Sequence, residues 1–222
     1  MKNRKITAKI LAGVLMLLLV FLPLTGCNTE RDTADYKPDF LVLVNKEHTI
    51  SPDYINTIKL CDIENIDGGT YQVEITTGKA FEDLQKALMD KGVTIGVDSA
   101  YRSVAYQQQI MDDFITEYGE EYAKRTVAVP GTSEHHTGLV IDLVPMVNGV
   151  WIVENEDMLK ETEIFRIIHE TISEFGFIVR YPLGKEEITG YDYEPWHIRC
   201  VGVQAAKAIC ECGITLEEYL KQ

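Results

Sequence analysis

Positive charge is the first thing this 222-residue chain is short of: 21 lysines and arginines stand against 35 aspartates and glutamates, a formal net charge of −14. Such a surface repels nucleic acid and anionic headgroups, so neither is expected as a partner. Thiols are scarce too. Five cysteines are present and none forms a CxxC pair, which excludes the redox and zinc motifs built on that spacing. Cys210 and Cys212 are too close for a comfortable mutual bridge. Cys61, Cys200, Cys210 and Cys212 are therefore expected mainly as buried free thiols. There is no internal repeat and no strict strand–helix–strand rhythm. The longest apolar run, residues 10–24, has 15 residues and is short for a membrane span.

That run has the form of an export leader. Lys2, Arg4, Lys5 and Lys9 make a basic head before it. It ends in Leu24-Thr25-Gly26-Cys27, which resembles the bacterial lipobox. The expectation is a signal peptide over residues 1–26 and lipidation at Cys27. The protein is then extracytoplasmic, attached to the membrane through its N-terminal lipid only. Residues 1–26 hold four Lys/Arg and no Asp/Glu, so the remainder has 17 basic against 35 acidic residues, a formal −18. Residues 28–40 are polar and aperiodic and, with Cys27, read as a tether. Residues 41–222 are long enough for one domain with its own core.

Within that domain, Leu41-Val42-Leu43-Val44 is β-like and Tyr71–Ile75 alternates as a strand does. Phe81, Leu84, Ala87 and Leu88 recur at helical spacing in a segment stopped by Gly92, and Val93–Val97 reads as the next strand. Ser103 is placed to cap a helix carrying Tyr106, Ile110, Phe114 and Tyr118 on one face. Leu139–Val144 is an apolar strand interrupted by Asp142. Ile164, Phe165, Ile168, Ile172 and Phe175 mark an amphipathic helix ended by Gly176. Strands follow at Phe177–Val179 and from Ile198. Val203–Cys212 is helical, and Thr215-Leu216-Glu217-Glu218 has the form of a capping box. The mixture predicts an α+β fold with a mixed or antiparallel sheet.

Polar residues concentrate where the apolar pattern reaches the edge of the core. Asp142, flanked by Val140, Ile141, Leu143 and Val144, is costly to bury unless paired or bound to a metal. Seven residues before it stands His135, in a loop bounded by Gly138. Glu194-Pro195-Trp196-His197 sets a second carboxylate three residues from a second imidazole. His135, Asp142 and His197 match the two-imidazole, one-carboxylate set of a catalytic zinc with its fourth position open. Glu194 is then an unpaired carboxylate suited to general acid–base work. Arg102, just after a strand, is a cation able to hold an oxyanion or a substrate carboxylate. Asp98 reads as a local partner of Arg102. His48 and His169 read as ordinary structural or surface histidines, and His136 as a neighbour of the site rather than a ligand.

Ser99-Ala100-Tyr101-Arg102-Ser103, Ser133-Glu134-His135-x-Thr137-Gly138-Leu139-x-x-Asp142 and Glu194-Pro195-Trp196-His197 together resemble the VanY-type D-alanyl-D-alanine carboxypeptidases, a family that includes L,D-carboxypeptidases. Leu43-Val44-Asn45-Lys46 and Arg180-Tyr181-Pro182-x-Gly184-Lys185 agree, so the likeness runs from about residue 41 to 202. It implies the small α+β zinc-peptidase fold shared with the hedgehog signalling domain. It also implies zinc on His135, Asp142 and His197, Glu194 as base and acid, and Arg102 as transition-state contact. Ser99, Gln107 and Ser133 would line the pocket. Val140 and His136 stand where the family usually has Ala and Gln, and neither is a proposed ligand. The expected activity is removal of the C-terminal D-alanine from peptidoglycan stem peptides, across a D,D or an L,D bond. An endopeptidase of the same zinc group and a zinc-holding lipoprotein that binds without cutting are the alternatives.

Overall fold

In a computed structural model that describes residues 36–221, the chain begins with capped local elements and closes around one antiparallel sheet. The Ser51 hydroxyl accepts from the Asp53 N–H and opens helix α1 (Pro52–Thr57), with proline at a position that needs no N–H donor. Strands β1 (Leu60–Glu64) and β2 (Thr70–Glu74) form a hairpin. Helix α2 (Ile75–Asp90) follows at once, its first N–H groups at Thr76 and Thr77 capped by the Glu74 carboxylate. Next come β3 (Ile95–Ser99), α3 (Val104–Tyr118) capped by Ser103, and α4 (Glu120–Thr126). After a short 3₁₀ turn at Glu134–Thr137 run β4 (Val140–Val147), β5 (Val150–Trp151), α5 (Asn155–Met158) and α6 (Thr162–Ile172). The chain ends with β6 (Phe177–Val179), α7 (Glu186–Thr189), β7 (His197–Cys200), α8 (Val203–Cys212) and α9 (Leu216–Tyr219), the last with the expected capping box.

The main sheet has the order β3-β4-β7-β6, every pair antiparallel, with β5 added to β4. Phe81, Leu84 and Leu88 of α2 and Ile168 and Ile172 of α6 pack with Val97, Ile141, Leu143, Phe177 and Ile198 of the sheet. Ile209 of α8 and Leu216 of α9 join Ile178 and Val201 in a second cluster. A third, small cluster of Met111, Ala123 and Val127 joins α3 to α4. The fold is thus α+β with an antiparallel sheet, as expected.

Three details differ from the reading of the sequence. Leu41–Val44 forms no strand, because the carbonyls of Phe40 and Val42 are taken by the Arg199 guanidinium instead of a neighbouring strand. The stripe Tyr106–Ile110–Phe114–Tyr118 is only half covered: Ile110 and Phe114 pack against the Met111–Ala123–Val127 cluster, Tyr106 and Tyr118 stay more than half exposed, and the fully buried residues of α3 are Gln107 and Met111. Of the four cysteines expected as buried free thiols, Cys200 is free and buried, Cys210 and Cys212 are free but exposed on α8, and Cys61 is instead disulfide-bonded. Residues 1–26 and Cys27, assigned to the leader and its lipid, lie outside the described residues.

Candidate active site

Strand register assembles the centre. In the β4–β7 pairing Asp142 lies opposite His197, and on the other flank of β4 it lies opposite Ser99 of β3. The β3–β4 ladder shifts between Val97 and Ser99, a bulge that turns this end of the strand toward the cleft. His135 arrives from the 3₁₀ turn, which ends at Gly138 with φ +70°. Only glycine suits that corner: a Cβ there would sit 3.2 Å from the Glu74 backbone nitrogen, which donates to the Gly138 carbonyl.

The donor atoms converge. His135 Nδ1 donates to the Ala100 carbonyl at 2.6 Å, which fixes the tautomer and leaves the Nε2 lone pair facing Asp142 Oδ2 at 3.2 Å. His197 Nδ1 lies 3.0 Å from Asp142 Oδ1, and the two imidazoles meet edge to face with centroids 5.2 Å apart. Ligand atoms from His135, Asp142 and His197 all fall within 4.8 Å of one another.

The electrostatics of these three residues call for a cation between them. Burial and the Arg102 charge push His135 down to about 4. Burial acts in the same direction on His197, but Asp142, Glu134 and Glu194 outweigh it and push that imidazole up to about 9. Asp142, which burial alone would raise, is held well below the usual carboxylate range by the two histidines. Asp142 Oδ1 is nevertheless buried without a hydrogen-bond donor. Two imidazole nitrogens and an ionised carboxylate aimed at one point fit a tetrahedral zinc site with an open position. The Cys₂ or Cys₄ sets of closed structural sites are absent from this cluster.

Glu194 stands beside that point, its Oε2 3.5 Å from His197 Nδ1. Removal from water pushes its carboxyl up to about 7, with Asp142 adding to the rise and His197 opposing it. The Glu194 N–H is fixed to the Tyr181 carbonyl, and His169 Nε2 donates to Pro195 O, so this segment is held from both sides. Arg102 donates through Nη1 to Gln107 Oε1 at 3.0 Å and lies 3.7 Å from Asp142 Oδ2. It pairs with Asp142 rather than Asp98. Gln107 in turn donates to the Ala128 carbonyl, which holds the guanidinium over a cleft of about 450 Å³. Ser99, Gln107 and Ser133 all line that cleft, with Asp98, Tyr181 and Tyr191.

His136 turns away from the donors. Its Nδ1 donates to the Arg102 carbonyl and its Nε2 accepts from the Gly131 N–H, so neither ring nitrogen is available to a metal. It works as a clamp between the two loops that carry His135 and Arg102.

The residues missed in the sequence are the ones beneath the donors. Glu134 Oε1 accepts from Arg180 Nε at 2.7 Å and from Arg199 Nη1 at 2.8 Å, all three side chains fully buried. Arg180 also forks onto Glu217 of α9. The other oxygen of Glu134 has no donor and faces His197 Nε2, itself without a partner, at 3.8 Å. A signal was present: Arg180 and Arg199 interrupt apolar strand segments as Asp142 does, and a charge there demands a buried partner. The Tyr181 ring packs 4.7 Å from the His197 ring and 4.6 Å from that of Tyr191, closing the cleft on the third side.

Comparison with known proteins gives concordant results. A family model described as VanY, D-alanyl-D-alanine carboxypeptidase, matches residues 70–203. A D-alanyl-D-alanine carboxypeptidase of Enterococcus faecalis (strain ATCC 700802 / V583) is 36% identical over 203 residues, covering 86% of this chain and 69% of the relative. Among solved structures, the LdcB LD-carboxypeptidase superposes with a TM-score of 0.72 at 35% identity, covering 82% of this chain and 86% of that one. A variant of the D,D-pentapeptidase VanY from a VanB-type resistance cassette, in complex with Zn(II), gives 0.65 at 36% identity, covering 81% and 98%.

Proposed function

This chain belongs to the VanY family of D-alanyl-D-alanine carboxypeptidases and is a zinc carboxypeptidase of that type, and we propose that it removes the C-terminal D-alanine from peptidoglycan stem peptides through the centre built on His135, Asp142 and His197. The observation that carries the proposal is the convergence of those three donors, with a fourth, weakly acidic group at Glu194 beside them.

His135, Asp142 and His197 hold the zinc in this reading. When bound, zinc supplies the positive charge that acidifies a water molecule and polarises the scissile carbonyl. Glu194 takes a proton from the attacking water and returns it to the nitrogen of the departing D-alanine, so the products are the shortened peptide and free D-alanine. Arg102, steadied by Gln107, faces negative charge on the substrate, either the developing oxyanion or the terminal carboxylate. Ser99 and Ser133 bound the pocket around that end of the substrate. Glu134 lies behind His197, its second carboxylate oxygen 3.8 Å from Nε2 on the side away from Asp142. Tyr181 limits how far that ring can turn.

The division of roles is tested by two variants assayed for both metal and rate. Glu194→Ala is expected to keep stoichiometric zinc and lose activity by roughly 10²–10⁴. His197→Ala is expected to lose zinc as well. A fully active Glu194→Ala would remove the general-base assignment, and a zinc-free one would make Glu194 a ligand.

We also propose that the protein is exported and held at the membrane as a lipoprotein through Cys27. What supports this is the basic head, the 15-residue apolar run and Leu24-Thr25-Gly26-Cys27. Metabolic labelling with a fatty-acid analogue should mark the wild-type chain and not Cys27→Ala; equal labelling of the two would reject it.

A further inference from the structure

Glu194 stands on a wall one residue thick. Pro195 biases the residue before it toward extended backbone, and along such a stretch side chains alternate. Glu194 and Trp196 face the cleft that holds the three donors, whereas Tyr193 and Pro195 face a second cavity of about 400 Å³ behind it. Met158 lines both cavities, which shows how thin the partition is. Backbone bonds hold the two ends of the wall. The Glu194 N–H donates to the Tyr181 carbonyl at 3.1 Å, and the Leu143 N–H donates to the Trp196 carbonyl at 3.0 Å. Between them Pro195 has no N–H to give. Its carbonyl is held from the back by a side chain, accepting from His169 Nε2 at 3.0 Å.

His169 is firmly mounted. It sits in the last turn of α6, whose Phe165, Ile168 and Ile172 belong to the main core. Its ring lies on that of Phe165, one turn earlier, with centroids 5.7 Å apart. Burial keeps the imidazole below its ordinary value, so at neutral pH it carries one ring proton, and the bond to Pro195 places that proton on Nε2. With the bond made, the wall is braced from behind. Without it, Tyr193 and Pro195 back onto open space, and Glu194 is free to retreat from the point where the three donors converge. The bond is a single neutral one, so its loss is mild for the fold. A displacement of about 1 Å at a reacting group, by contrast, lowers a rate by roughly 10²-fold.

We infer that His169 is a positioning residue: through the Pro195 carbonyl it fixes where the Glu194 carboxyl stands relative to His135, Asp142 and His197, and so sets the rate of proton transfer. It touches neither substrate nor metal. The inference rests on the general-base reading of Glu194 above and extends it to a side chain of α6 that the motifs do not include.

The test uses the full-length, zinc-loaded protein and a stem peptide that the wild type shortens. His169→Phe keeps a ring on Phe165 and removes the donor. It is expected to lower kcat roughly ten- to hundredfold, with KM within about twofold and zinc still stoichiometric. His169→Gln, whose amide N–H stands near the Nε2 position, should restore most of the rate. His169→Asn carries a donor too short to reach Pro195 and should behave as His169→Phe does, which keeps the inference testable if His169→Phe does not fold. Because His169 acts through Glu194, adding His169→Phe to Glu194→Ala should deepen the loss by less than about twofold. A wild-type kcat in His169→Phe would overturn the inference. So would a His169→Gln protein as slow as His169→Phe, zinc loss in step with the rate, or a full additional loss in the double variant. Hydrogen exchange over residues 193–198 separates the inference from its premise. Exchange at the Glu194 and His197 amides should quicken roughly three- to tenfold in His169→Phe and return toward wild type in His169→Gln, even in a protein that cuts no peptide. Unchanged exchange in His169→Phe rejects the inference.

Discussion

At the scale of single residues, the centre is a contest between a proton and a metal for one place. His197 is pushed up to about 9 because Asp142, Glu134 and Glu194 outweigh the cost of burying its charge, whereas His135 is pushed down to about 4. In the metal-free protein at neutral pH, His197 therefore carries the positive charge and His135 does not. Zinc held as proposed on His135, Asp142 and His197 must displace that proton. Zinc uptake at pH 7 is thus expected to release about one proton, with apparent affinity rising about tenfold per pH unit until the His197 proton is gone near pH 9. Calorimetry in buffers of different ionisation enthalpy measures the release directly. An affinity flat between pH 6 and 9 would contradict the assignment. The convergence of His135, Asp142 and His197 was legible residue by residue, because Asp142 in an apolar strand and two histidines at motif spacing are each expensive or rare. Glu134 was not. Its role exists only through Arg180, Arg199 and His197, 46, 65 and 63 positions away along the chain, and no local pattern reports such a contact.

At the scale of elements, helices with clear periodicity and caps were read correctly. Ser103, Thr215 and Gly176 terminate helices where expected, because a cap is a local property of two or three residues. Leu41–Val44 was misread because β-propensity does not say whether a partner strand exists; here a guanidinium satisfies the carbonyls. The α3 stripe is only half covered, at Ile110 and Phe114, for a related reason. Helical spacing identifies a face but not what covers it, and the core-facing residues of α3 include the polar Gln107, held by Ala128 and Arg102. The turn that delivers His135 is the element most sensitive to change. Gly138→Ala puts an L-residue at φ +70° with its Cβ 3.2 Å from the Glu74 nitrogen. The cost is expected at roughly 1–3 kcal/mol of stability, together with weaker zinc binding because His135 shifts. Denaturant unfolding with a metal-affinity titration reads both, and an unchanged variant would show that the turn does not set the His135 position.

At the scale of the whole molecule, a buried ion network ties distant parts of the chain to the centre. Glu134 joins β6 and β7 through Arg180 and Arg199; Arg180 reaches Glu217 in α9, and Asn45 near the N-terminal end of the domain donates to that same glutamate. Burial alone would raise Glu134, but Arg180 and Arg199 hold it far below the carboxylate range. Burial likewise opposes, and Arg180 overcomes, in lowering Glu217. Carboxylates with depressed folded-state pKa values stabilise the fold fully above their ordinary value of 4.5 and lose that contribution as pH falls below it. Stability is therefore expected to drop steeply below about pH 4.5. Glu134→Gln, which leaves a buried arginine charge uncompensated, should cost about 3–5 kcal/mol at neutral pH. Its deficit should shrink as the wild type acidifies. A constant deficit from pH 7 to pH 3 in denaturant melts would reject the network as the source of acid sensitivity.

The fate of a terminal D-alanine reports most directly on the proposed activity. The full-length zinc-loaded protein would be incubated with a stem pentapeptide ending in D-Ala-D-Ala and, separately, with the tetrapeptide, and the products read by mass with and without chelator. Loss of one alanine from one of the two, abolished by chelator and restored by zinc, is the predicted result, and the peptide that shortens identifies the bond. Internal cleavage would instead make the protein an endopeptidase, and two unchanged peptides in the presence of tightly bound zinc would contradict the carboxypeptidase reading.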